Sequence, residues 1–100
     1  MLWAISRVAA PDFAAKREQG MQPHIDYLRS QKNILVISGA TTSDDGKQFV
    51  GSLLIVNVKT RAEAQAFVDG DPFTKAGMFT HVTITRMNKG QFNAPAAEGA

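Results

Sequence analysis

The stretch Phe49-Val50-Gly51-Ser52-Leu53-Leu54-Ile55-Val56-Asn57-Val58, residues 49–58, decides the fold. It reads as the longest strand of the chain, because aliphatic and β-branched residues run through it without a proline. Leu54, Val56 and Val58 fall on one side and Leu53 and Ile55 on the other, so the strand is apolar on both faces. Directly behind it, Thr60-Arg61-Ala62-Glu63 has the form of a capping box, in which the Thr60 hydroxyl caps a helix start and Glu63 reaches back. This predicts a helix to about Asp69, with Gly70 as a natural stop.

Toward the N-terminus, the polar run Thr41–Lys47, containing Ser43-Asp44-Asp45-Gly46, predicts a turn, and Ile34–Ser38 a short apolar strand ending at Gly39. Leu2–Val8 is another strand, with Trp3 and Ile5 on one side and Leu2, Ala4 and Val8 on the other. Pro11-Asp12 breaks it, and Asp12 is placed to cap a helix from Phe13 to about Gln31. Gly20 and Pro23 lie inside that helix and predict a kink or a fresh start. Toward the C-terminus, Asp71-Pro72-Phe73 opens a short helical turn or loop. Thr80–Met87 is the last strand, with Val82 and Ile84 opposite His81, Thr83 and Thr85. Residues 89–100 are rich in Ala, Gly and Pro and read as a tail, either mobile or laid as an arm over a partner.

The order β-α-β-β-α-β is the split βαβ arrangement, a ferredoxin-like α+β fold with a four-stranded antiparallel sheet and two helices on one face. Two helices leave the other face bare, although the first three strands are apolar on both sides. Burying one Leu or Ile side chain is worth roughly 1.5–3 kcal/mol. A second copy packed sheet to sheet is the simplest cover, so the pattern predicts a homodimer.

One hundred residues make one domain. A net charge of +2, from 11 basic and 9 acidic residues with no basic run, points away from nucleic acid. No apolar stretch approaches the ~20 residues of a membrane span, and Met1–Ala10 lacks the basic and long apolar regions of a signal peptide. The absence of cysteine removes disulfides, thiolate catalysis and Cys-based metal sites, and fits a cytoplasmic protein. No Gly-rich phosphate motif and no His-x-x-x-His occurs, so neither cofactor nor metal is expected.

Few residues are left to carry chemistry. Arg17 and His24 are seven positions apart and share a face of an unbroken helix, which would present a cation and an imidazole to one cavity; a stray surface histidine fits the spacing as well. Asp71 before Pro72 is the usual pattern of an N-cap with proline at the first helical position. Turned toward His24 instead, the same carboxylate would orient the imidazole and fix its tautomer. The two lie 47 positions apart, and only the fold can join them. Ser52 and Ser38-Gly39, at strand ends, would offer a hydroxyl and backbone N–H groups to a small anion or carbonyl, or simply serve the turns. Ser52 has no G-x-S-x-G elbow around it, which weakens any hydrolase triad with His24 and Asp71. His81, on the polar side of its strand, reads as solvent-facing.

These pieces, Arg17…His24-Ile25-Asp26-Tyr27-Leu28, Ser38-Gly39, Gly51-Ser52-Leu53-Leu54-Ile55-Val56, Ala62…Ala66-Phe67 and Asp71-Pro72-Phe73…Ala76-Gly77-Met78-Phe79, closely resemble the YCII-related (YciI-like) family over residues 1–88. The resemblance implies a dimeric α+β barrel, two sheets closing face to face, and a cavity with a His–Asp pair. By position that pair is His24 and Asp71, as catalytic residues, with Arg17, Ser52 and Phe73 on the substrate. The chain departs from the family at Gly39-Ala40, where Gly-Pro is common. A related member eliminates hydrogen chloride from a hydroxylated ring. The expected activity is accordingly that of a cofactor-independent lyase or isomerase on a small cyclic or aromatic oxygenated substrate. The alternative is a non-catalytic small-molecule-binding or accessory protein using the same cavity.

Overall fold

Alternation along the first strand sets the core. In the computed structural model, which describes residues 1–100, β1 (Leu2–Ala9) buries Trp3 and Ile5 against Leu54 and Val56 of β3 (Phe49–Asn57). The helix α2 (Arg61–Gly70) closes over them with Ala64, Phe67 and Val68, and β4 (Phe79–Met87) adds Ile84. The sheet is completed by β2 (Leu35–Thr42), in the order β2-β3-β1-β4, and all three pairings are antiparallel. This is the ferredoxin-like βαββαβ arrangement expected from the strand pattern. A second, smaller cluster of Phe13, Phe73 and Met78 sits where the start of α1 (Phe13–Ser30) meets the short helix α3 (Pro72–Lys75). No helix is long and apolar enough to cross a membrane.

Several local expectations change. The helix α1 runs unbroken through Pro23 instead of restarting there. A proline costs about 3 kcal/mol inside a helix, but tertiary contacts hold α1 on both sides of it. Phe13 is buried before it, and behind it the Tyr27 hydroxyl donates to the Phe67 carbonyl at 2.7 Å. Asp12 occupies the N-cap position, yet its side chain makes no cap bond and pairs with Lys16 at 2.9 Å. The capping box at Thr60 forms, its hydroxyl accepting from Glu63 N at 3.1 Å, while Glu63 accepts from Lys59 N at 2.9 Å. The strand β2 extends four residues past Ser38, because its backbone keeps pairing with β3 as far as Thr42↔Phe49 although its side chains there are exposed. Residues 89–100 hold one 3-10 turn, Ala94–Ala97, and are exposed throughout.

The sheet face opposite the helices carries Val8, Ile37 and Leu53, which are 48%, 54% and 46% exposed in the single chain.

Candidate active site

The alternation that buries Trp3 and Ile5 carries Arg7 to the same side of β1, where its side chain is 1% exposed. The guanidinium is held on several sides. Its Nε donates to Ser52 Oγ at 2.8 Å, and its Nη1 donates to Asp71 Oδ2 at 2.7 Å and to Thr74 Oγ1 at 3.2 Å. Its Cζ stands 4.0 Å from the Phe79 ring centroid, a cation–π contact. Burial pulls the Arg7 pKa below the ordinary arginine value, opposed by the hydrogen bond and charge of Asp71.

Asp71 stands at the corner between α2 and α3. Its Oδ1 accepts from Phe73 N at 3.0 Å and faces His24 Nδ1 at 2.8 Å, while Oδ2 takes Arg7. The carboxylate therefore caps α3 and meets the imidazole at the same time, which the sequence left as alternatives. Burial alone would push its carboxyl up. The hydrogen bonds from His24 and Arg7, the charge of Arg7 and the Phe73 N–H outweigh that and hold it below the usual carboxylate range. Asp71 is thus an anion at neutral pH and accepts only. That assigns the Nδ1 proton to His24, so Nε2 is an acceptor whenever the ring carries a single proton. No group of the chain bonds to Nε2.

The imidazole lies flat on Phe73, with ring centroids 3.9 Å apart and planes 5° from parallel. Phe73 presses on α1 at Gly20, where a Cβ would stand 3.0 Å from its Cε1. Two turns before His24, Arg17 rests over Phe49, its Cζ 4.0 Å from the ring centroid.

Arg7, Arg17, His24, Ser52, Phe73 and Phe79 all face one cavity of about 170 Å³. An apolar cavity of about 150 Å³ takes up benzene, so this space suits a single ring with its substituents. Ser38 and Gly39 stand at the same cavity, whereas Asp71 lies behind its wall, reaching it only through His24 and Arg7. His81 is exposed opposite Val8, on the bare face of the sheet. Ser52 makes no bond to His24, so the nucleophile–base contact of a hydrolase triad is not assembled. Arg7 is the residue that sequence reasoning missed. The signal was present in the period of two through Trp3, Ile5 and Arg7, which aims a cation into the core, where it requires a partner.

A ferredoxin-like α+β chain with two guanidinium groups and a carboxylate-backed imidazole around a ring-sized cavity is the class that fold and site define. The chain belongs to the YCII-related domain family, which matches residues 1–88. It is similar to a solved structure, 5-chloro-2-hydroxyhydroquinone dehydrochlorinase (TftG) from Burkholderia phenoliruptrix AC1100 in complex with 2,5-dihydroxybenzoquinone. The two share 34% sequence identity over 90% of this chain and 96% of that one, with a TM-score of 0.80. Among curated proteins, none matches the chain.

Proposed function

We propose that the protein is a cofactor-independent lyase or isomerase acting on a small oxygenated aromatic or cyclic substrate, as a cytoplasmic sheet-to-sheet homodimer. The observation that carries this reading is His24, oriented through Nδ1 by an ionised Asp71, with Nε2 unpartnered at a ring-sized cavity. The 34% identical dehydrochlorinase, solved with a hydroxylated quinone, supports the substrate class.

In this mechanism Nε2 takes the proton of a ring hydroxyl, and the O–H electron pair becomes a C=O bond. A ring double bond shifts, and the adjacent carbon takes a proton back from Nε2–H, giving the keto isomer. If that carbon bears a halide, loss of a second hydroxyl proton forms a second C=O and expels the halide. The net change is loss of HX, with no oxidant consumed. Arg17 holds an anionic oxygen of the substrate, and Asp71 positions His24 without touching the ring.

The test is turnover of a chlorinated trihydroxybenzene, followed by chloride release and quinone absorbance. His24→Ala should lower kcat about 10²–10⁴-fold, the usual worth of a general base, and Asp71→Asn should also impair it. Unchanged turnover in both variants would refute the assignment. Binding without conversion by the unaltered protein would leave a ligand-binding protein in its place.

The dimer is supported by the bare apolar row Val8, Ile37 and Leu53. Residues 89–100 lie outside the matched domain and, in this proposal, form a tail or an arm over the partner.

A further inference from the structure

A serine hydroxyl both donates and accepts, so on its own it does not say which kind of ligand atom it reads. At Ser52 the choice has been made. The Arg7 Nε–H can only donate, and Ser52 Oγ accepts it at 2.8 Å. The guanidinium cannot turn away, being fixed by Asp71, Thr74 and the face of Phe79. Nor can the strand carrying Ser52 draw back easily. Arg7 and Ser52 are register partners in the antiparallel β1–β3 ladder, and at the adjacent Gly51 the two backbones are so close that a Cβ would stand 2.0 Å from the Arg7 carbonyl oxygen. The remaining proton of Ser52 has no acceptor in the chain, and Ser52 faces the cavity. A bond received from a cation also polarises the hydroxyl and strengthens it as a donor.

We infer that Ser52 serves this cavity as a hydrogen-bond donor, set in that role by Arg7 and distinct from the cation of Arg17, and that it selects a carbonyl or anionic ring oxygen. His24 Nε2, an acceptor, takes a hydroxyl of the same ligand. The site is thus complementary to a ring bearing one hydroxyl and one oxo or oxyanion group, the hydroxyquinone and keto–enol class. This rests on the substrate reading above and narrows it. Ser52 touches the ligand; Arg7 is a positioning residue that acts through it.

Calorimetric titration with 2,5-dihydroxybenzoquinone tests the inference on the unaltered protein, Ser52→Ala, Ser52→Thr, Arg7→Lys and the Ser52→Ala/Arg7→Lys double variant, each with its melting temperature recorded. Ser52→Ala should weaken binding about tenfold or more, as expected for a bond to a charged or polarised oxygen. Ser52→Thr, which restores the hydroxyl, should stay within about threefold of the unaltered protein. Arg7→Lys keeps a charge for Asp71 but loses the fixed Nε–H; it should weaken binding, and adding Ser52→Ala should cost nothing more. Should Arg7→Lys fail to fold, the two Ser52 variants decide alone. Undiminished binding by Ser52→Ala, equal loss in Ser52→Thr, or losses that multiply in the double variant would each overturn this inference while leaving the substrate reading intact. No binding by the unaltered protein would overturn both.

Discussion

Arg7 and Asp71 form an ion pair whose two side chains are each 1% exposed. Removing one partner of such a pair costs about 3–5 kcal/mol, because the survivor stays buried and uncompensated. Domains of this kind have only about 5–15 kcal/mol in total. Arg7→Met is therefore expected to lose a large share of stability in urea unfolding, well beyond His24→Ala. The same carboxylate sets a pH dependence. Its folded pKa is depressed, so its contribution is complete above the unfolded value of about 3.9 and is lost as pH falls through the folded one. The melting temperature should fall steeply as pH drops below about 4, and less steeply in Asp71→Asn, which has no carboxylate to protonate at that position.

Among the elements, Gly51 marks where two backbones come close. Gly51 has the Arg7 carbonyl oxygen within 2.0 Å of where a Cβ would stand, whereas Gly39, also at the cavity, has nothing within 4 Å. Gly51→Ala should cost about 2 kcal/mol or more, roughly 8–16 °C in melting temperature; Gly39→Ala should leave melting nearly unchanged. Gly70, which reads in the sequence as a helix stop, has no positive φ; its bareness admits the Tyr27 hydroxyl, 2.5 Å from where a Cβ would be. These cases show what the sequence makes legible. Alternation through Trp3, Ile5, Leu54 and Val56, and the cap at Thr60, are local signals, and they yield the elements and their order. That Asp71 meets both His24 and Arg7 is a fact of register between segments 47 and 64 positions apart, which no local pattern encodes. The family resemblance supplied the first pairing, and nothing pointed to the second except the period of β1. The continuity of α1 through Pro23 was hidden for the same reason, since the contacts that hold it lie on α2 and α3.

At the scale of the molecule, the face bearing Val8, Ile37 and Leu53 is apolar and uncovered in the single chain. If it is the seat of a second copy, sedimentation at micromolar concentration should give a dimer, and Leu53→Glu a folded monomer. A well-folded monomer in the unaltered protein would remove the dimer from the proposal. Asp71 has a further consequence here. One carboxylate fastens β1 through Arg7, α1 through His24 and the start of α3 through the Phe73 N–H. The group that prepares the base is therefore also a three-way rivet of the architecture, and selection cannot retune one duty without disturbing the other. A library diversified for new substrates should accordingly keep residues 7, 24 and 71 intact and gather its beneficial changes at Arg17, Ser38 and Ala40, which border the cavity without joining these segments.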